Sequence, residues 1–113
     1  MKDFLFLYRA DSTNMPKRTP EEMQAETKQW MDWLGGIGAQ NKLTSSGNRL
    51  DGSGKVVKGG NVITNGPYTE IKETIGGFSI VRSDTYEGAV EMAKGCPILK
   101  AGGNVEVREM LVM

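Results

Sequence analysis

The residues that most restrict the fold of this chain lie near its start, where apolar and aromatic side chains occupy positions 4–8 without interruption. Side chains of an extended strand alternate between its two faces, so Phe4, Phe6 and Tyr8 share one face. Leu5 and Leu7 share the other face. Because both faces are apolar, this segment is typical of a strand inside a sheet that is covered on both sides. The sequence therefore predicts a layered fold with this strand at its centre.

A helix is predicted after the loop that follows this strand. Thr19 is placed to cap the helix, Pro20 suits its first position, and Glu22 completes a capping box. Apolar residues then recur at spacings of three and four, which indicates one buried stripe to about residue 41. The members of that stripe are Met23, Thr27, Trp30, Leu34 and Ile37. Trp33 lies beside the stripe and is expected to pack at its flank or to line a pocket.

A second helix is predicted from the same kind of signal. Thr85 and Glu87 repeat the pattern of a cap followed by an acidic first turn, so a helix is expected to about Lys94. Its predicted buried stripe consists of Tyr86, Ala89, Val90 and Ala93. The Gly95-Cys96-Pro97 sequence ends it.

Short strands separated by turns account for the rest of the chain. They are predicted at residues 43–45, 55–58, 62–64, 78–82 and 105–112. Residues 43–60 are rich in glycine, but they lack the Gly-Lys-Ser/Thr ending and the following helix of a phosphate-binding loop, so we expect a hairpin-like excursion. The element order predicts a single domain over residues 1–113. Its expected fold is α+β, a ferredoxin-like split βαβ sandwich with an antiparallel sheet and two helices on one face.

An uncovered sheet face follows from this architecture. Two helices can cover only one face of the sheet, and the strands carry apolar residues on both. A contiguous exposed apolar surface usually marks a site of association. The sequence therefore predicts a homodimer in which the two sheets pack face to face.

The charge and apolar content exclude two classes of partner. Lysine and arginine total 14, as do aspartate and glutamate, so the formal net charge is zero. Nucleic-acid binding normally needs a basic surface, so no nucleic-acid partner is expected. No apolar run reaches the roughly 20 residues of a membrane-spanning helix, so no membrane partner is expected. The single cysteine, Cys96, forbids an internal disulfide and suggests a cytoplasmic location.

The absence of histidine limits the chemistry. It excludes Ser-His-Asp and Cys-His catalysis, and together with the single cysteine it argues against a transition-metal site. We expect no metal and no cofactor. Any catalysis would depend on carboxylates, lysine, arginine, tyrosine or backbone groups.

Residues 65–78 form the candidate functional stretch. Asn65, Gly66 and Pro67 predict a turn, and a charged trio follows as the catalytic candidates, namely Glu70, Lys72 and Glu73. The alternative is that this trio is a salt-bridged cluster that stabilises the turn. The glycine pair before Phe78 either lets a ligand or partner approach the backbone or accommodates a bulge. The ligand-binding candidates are Tyr8, Arg9, Trp33, Arg49, Asn65, Gly66, Pro67, Tyr68, Gly76, Gly77 and Phe78.

The same stretch resembles the signature of the YCII-related, or DGPF-domain, family. That signature reads Asp-Gly-Pro-Phe, then Glu-x-Lys-Glu and Gly-Gly-Phe/Tyr, and residues 65–78 follow it closely. The resemblance continues through the Glu87 helix, Cys96-Pro97 and residues 105–108, and so spans essentially the whole chain. It implies a dimeric α+β barrel of ferredoxin-like subunits. Some family genes lie beside genes for extracytoplasmic-function sigma factors, and distant relatives of the barrel include lactone isomerases and dehydrochlorinases.

Three departures from the family pattern bear on catalysis. The family's proposed His-Asp pair has no counterpart, because the chain has no histidine. Asn65 replaces the aspartate of the signature, and Tyr68 replaces its phenylalanine. An amide can orient and hydrogen-bond a ligand, but it is not a general base.

Three functions remain open on sequence grounds. The first is a homodimer that binds a small metabolite near residues 65–78 in a sensing or accessory role, with an anion suited to Arg9 or Arg49. The second is a cofactor-free isomerase or lyase in which Glu70 or Glu73 is the base and Lys72 or Arg9 stabilises charge. The third is a protein-interaction module linked to the transcription machinery through partner proteins.

Overall fold

The structure is a computed structural model that describes residues 1–11, 17–66 and 73–113, with Glu73 described by its backbone. The strands are β1 (Lys2–Asp11), β2 (Leu43–Ser45), β3 (Gly54–Lys58), β4 (Val62–Gly66), β5 (Glu73–Ser83) and β6 (Asn104–Glu109). The helices are α1 (Pro20–Ala39) and α2 (Tyr86–Ala93), and a short 3-10 turn spans Pro97–Leu99. The order of elements is the predicted one.

The main sheet has four strands in the order β2-β5-β1-β6, and every adjacent pair is antiparallel. The central position of β1 is confirmed. Among the described residues, strands β3 and β4 pair only with each other, as a separate two-stranded sheet inserted between β2 and β5. The fold is therefore α+β and ferredoxin-like, as predicted, with a hairpin added to it.

The core lies on the face of the sheet that the helices cover. Phe4, Phe6 and Tyr8 are buried there. Tyr8 meets the ring of Trp30 edge-on at 4.7 Å, and the ring of Trp33 stacks near Phe6 at 6.1 Å. These aromatic contacts fix α1 against β1. They also bury the side chains that the alternating pattern of β1 places on this face.

Both predicted helix caps form. The Thr19 hydroxyl accepts a hydrogen bond from the Glu22 backbone N–H at 3.1 Å, and the Thr85 hydroxyl accepts one from Gly88 at 3.0 Å. Each bond satisfies a backbone donor that the first turn of a helix leaves without an intrahelical partner.

The predicted buried stripes are wrong in part. Met23 and Thr27 are exposed, because α1 packs on the core only through its second half, from Trp30 to Ile37. In α2, Ala89 and Ala93 are buried, whereas Tyr86 and Val90 are 45% and 40% exposed, although the ring of Tyr86 meets Phe4 edge-on at 4.9 Å. The small alanine side chains face the sheet and allow the helix to lie close to it.

Several strand limits differ from the prediction. Asn65 and Gly66 are the paired end of β4, opposite Lys55 and Gly54, rather than part of a turn. The hairpin turns at residues 59–61, between the two predicted strands, where Gly60 and Asn61 have φ of 78° and 63°. Pairing with β1 extends β5 back to Glu73, while β6 ends at Glu109 instead of residue 112.

Neither helix in the described parts of the chain is long and apolar enough to span a membrane.

Candidate functional site

The start of the candidate stretch, Asn65 and Gly66, lines a groove at the base of the β3–β4 hairpin. The groove has a volume of about 300 Å³ and is lined by Ser53, Gly54, Lys55, Asn65 and Gly66. The antiparallel register sets Lys55 opposite Asn65, and the Lys55 ammonium donates a hydrogen bond to Asn65 Oδ1 at 3.3 Å. Lys55 therefore places a positive charge at this groove, beside an amide that can both donate and accept hydrogen bonds.

The glycine pair at the start of the apolar part of β5 forms the predicted bulge. Tyr8 pairs with Gly77 and Arg9 with Ile75, so Gly76 is the extra residue between them. Gly77 also lies against the loop that follows β2: a Cβ at this position would be 3.0 Å from the Asn48 carbonyl oxygen. The chain's own backbone thus occupies the space that the missing side chain leaves.

Tyr8 and Trp33 direct their polar atoms into the core. The Tyr8 hydroxyl donates to Ser79 Oγ at 2.8 Å, and Ser79 donates in turn to the Ser46 carbonyl oxygen at 2.8 Å. Trp33 Nε1 donates to the Met92 carbonyl oxygen at 3.0 Å. Burial raises the pKa of the Tyr8 phenol well above its ordinary value, so the group stays neutral. In these positions both residues hold the core together.

Arg9 lies on the opposite face of the sheet from Tyr8. Its Nε donates to Glu106 Oε1 at 3.2 Å, and Arg108 donates to Glu106 Oε2 at 3.2 Å. The hydrogen bond from Arg108, together with the charge and hydrogen bond of Arg9, lowers the pKa of Glu106. Glu106 is therefore a stable carboxylate within an ion-paired cluster.

The face that carries this cluster is the one that neither α1 nor α2 covers. Leu5 pairs with Ile80 and Leu7 with Phe78, and these four side chains are half-buried on that face. We call the surface formed by Leu5, Leu7, Phe78 and Ile80 the open sheet face.

The predicted site residues divide among three places. Tyr8 and Trp33 lie on the helix-covered face. Arg9 and Phe78 lie on the side of the open sheet face, and Asn65 and Gly66 belong to the hairpin.

The structure describes only some of the other predicted site residues. Arg49 is exposed and forms an isolated backbone bridge with Gly77. Pro67, Tyr68, Glu70 and Lys72 lie outside the described residues, as does the Glu73 side chain, so the catalytic trio stays a prediction. In the described ranges no group of three or more His, Cys, Asp or Glu residues is suited to a metal ion.

Sequence reasoning missed Lys55 as a site residue. Its partner Asn65 was recognised, but the pairing depends on where the hairpin turns. The Gly59-Gly60-Asn61 sequence is a good turn signal, because glycine and asparagine adopt positive φ readily. A hairpin centred there brings Lys55 opposite Asn65, so the signal was present in the sequence.

The fold and the hairpin together define a ferredoxin-like α+β protein with an insertion between its second and third sheet strands. A family model for the YCII-related domain matches residues 4–113, which is nearly the whole chain. The chain belongs to the YCII-related domain family, as its sequence motif indicates. A search of curated proteins finds no match.

Proposed function

We propose that the protein is a cytoplasmic homodimer that binds a small anionic metabolite in the groove at the base of the β3–β4 hairpin, in a sensing or accessory role. The observation that carries this proposal is the pairing of the Lys55 ammonium with the Asn65 amide beside that groove. The ammonium attracts an anion, and the amide orients it through hydrogen bonds.

The electrostatic surroundings of Lys55 support an anionic ligand. Where the structure describes side chains, the Lys55 ammonium donates its hydrogen bond to a neutral amide, whereas Arg9 is paired with the Glu106 carboxylate. An ammonium that is not neutralised by a carboxylate retains more of its attraction for a ligand. The single buried thiol, Cys96, suits a reducing compartment such as the cytoplasm.

The homodimer of this proposal rests on the open sheet face. Its four apolar side chains lie together on the sheet surface that neither helix covers. Burying such a surface against a second copy removes apolar area from water, which favours association.

A thermal-shift screen of metabolites that carry carboxylate or phosphate groups tests ligand binding. A ligand present at 100 times its Kd stabilises the fold by about 2.7 kcal/mol, which raises the Tm by roughly 10 °C for a domain of this size. The variants are Lys55→Met and the charge-matched control Lys58→Met, at the far end of β3.

The expected result is that the shift disappears in Lys55→Met and persists in Lys58→Met. Equal losses in both variants would indicate a general charge effect and contradict the assignment of the groove. Turnover of a bound compound that Glu73→Gln abolishes, with the fold intact, would replace the sensing role by an enzymatic one.

A further inference from the structure

The β3–β4 hairpin, residues 54–66, projects as an arm from the four-stranded sheet. Within the part of the chain that the structure describes, its strands pair only with each other. Val57 is paired with Ile63, and their side chains are 72% and 62% exposed. Since a lone two-stranded hairpin is at best marginally stable in water, an arm with two exposed β-branched side chains at its centre gains stability from packing on another surface.

One face of the arm combines apolar and ligand-binding features. Directly paired residues in antiparallel strands share a face, and so do residues two positions apart. Val57 and Ile63 therefore share a face with Lys55 and Asn65. The opposite face carries Val62, which is 47% exposed.

The dimensions of the protein agree with a projecting arm. The Cα radius of gyration is 15.6 Å, and the principal extents are 44 × 44 × 18 Å. A compact chain of this length has a radius of gyration of about 13 Å. The protein is thus broad and thin, which is consistent with an arm that extends beyond the sheet.

The open sheet face alone is small for a stable dimer interface. With four strands about 4.8 Å apart and an overlap of about six residues at 3.3 Å each, the sheet covers roughly 400 Å². A standard interface buries about 800 Å² on each partner. In a twofold dimer each copy gives one arm and receives one. Two arm faces of roughly 170 Å² each add about 340 Å². Together with the sheet, they bring the contact area on each partner near that of a standard interface.

We propose that the Val57 and Ile63 face of the arm packs against a second copy of this chain, beside the open sheet face, so that the two copies clasp each other. This inference rests on the homodimer of the proposed function. It places Lys55 and Asn65 at the boundary between subunits, where the partner closes the groove that is open in a single copy.

Sedimentation velocity of the full chain over a concentration series tests the arm. The double variant Val57→Thr with Ile63→Thr keeps β-branched side chains and removes apolar contact; Val62→Thr makes the same chemical change on the opposite face. The expected result is a dimer Kd raised about 100-fold in the double variant and changed less than about threefold in the control.

The outcomes separate this inference from the proposed homodimer. A wild-type protein that stays monomeric at about 100 μM overturns both the homodimer and the arm contact. A specific interface of this size has a dimer Kd below that concentration. A dimeric wild type with an unchanged Kd in the double variant overturns the arm contact alone and leaves the dimer standing.

Cross-linking provides a second measurement that does not depend on the stability of the variants. A benzophenone attached to Ile63→Cys should give a covalent dimer under illumination. The same label on Glu91→Cys, on α2 and away from the open sheet face, should not. The native Cys96 is buried and does not compete for the label. Cross-links from position 63 that stay within one chain would contradict the contact.

Discussion

Cys96 shows how tertiary burial changes the chemistry of a side chain. It is 2% exposed and belongs to the core cluster beside the 3-10 turn that follows α2. Burial raises the pKa of its thiol to about 11, with a backbone hydrogen bond from Ile98 acting in the opposite direction. A thiol with so high a pKa carries little thiolate at neutral pH and is a poor nucleophile. The residue is therefore structural.

The raised pKa of Cys96 makes the stability of the protein sensitive to alkaline pH. Since the folded pKa lies above the unfolded one, the stabilisation is complete below about pH 9 and is lost as pH rises toward 11. We expect the difference in free energy of unfolding between the wild type and Cys96→Ala to shrink by about 2 kcal/mol between about pH 8 and pH 10.5.

Urea denaturation of both proteins at each pH measures this difference. The comparison with Cys96→Ala isolates the thiol, because the tyrosines of the chain are common to both proteins. A constant difference across this range would show that the thiol ionises equally in the folded and unfolded states.

At the scale of elements, a backbone contact attaches the loop after β2 to β5. Phe78 N donates to the Asn48 carbonyl oxygen at 3.2 Å, and Leu50 N donates to the Gly76 carbonyl oxygen at 2.9 Å. Gly47 lies at the start of this contact with φ of 70°, and a Cβ there would be 1.7 Å from the Phe78 carbonyl oxygen. No residue with a side chain fits that position unless the loop moves away from the strand.

Gly47→Ala should therefore destabilise the protein far more than Gly60→Ala. Both glycines have positive φ, but a Cβ at Gly60 meets nothing within 4 Å. We expect Gly60→Ala to cost about 1 kcal/mol from backbone strain alone, and Gly47→Ala to cost at least about 3 kcal/mol.

Chemical denaturation of the two variants gives the comparison directly. Because the strain of positive φ is common to both, the difference between them reports the steric clash with β5. Similar losses in the two variants would mean that the loop does not pack on β5 in solution.

The two helix caps and the hairpin show what local sequence predicts well and what it does not. Thr19 and Thr85 were predicted as caps because the bond from a cap hydroxyl to a nearby backbone N–H depends on residues three positions apart. The strand character of residues 55–58 and 62–64 was also predicted. The connection between them, residues 59–61, is where the hairpin turns. The separate turn predicted from Asn65-Gly66-Pro67 is wrong for Asn65 and Gly66, because their pairing with Lys55 and Gly54 outweighs the local turn signal.

For the whole molecule, the main consequence of the topology is the sheet surface that neither α1 nor α2 covers. The family that the chain belongs to was predicted from its motif and is confirmed by the match over residues 4–113. The pairing of two subunits through the open sheet face remains a prediction.

Leu7→Lys tests that pairing. Leu7 is paired with Phe78 on one side and Glu106 on the other, so a lysine there finds a carboxylate within its own sheet and the single subunit should stay folded. In a dimer the same lysine would be buried at the interface, which is unfavourable for a charge. We expect the dimer Kd to rise by at least about 100-fold.

Sedimentation velocity, with circular dichroism to verify the fold, measures the effect. The matched control is Met31→Lys, which introduces the same charge at a methionine that is 68% exposed on α1. If both variants dimerise like the wild type, the open sheet face is not the interface.

By itself, the sequence determined the order of elements, the central strand, the helix caps and the family, because each depends on local periodicity or on a contiguous motif. Only the tertiary structure decided that Tyr8 and Arg9 lie on opposite faces of the sheet in different surroundings, and that Lys55 meets Asn65. It also separated the hairpin from the main sheet. These features depend on strand register and on contacts between distant residues, and a displacement by one residue would reverse the face of every side chain in a strand.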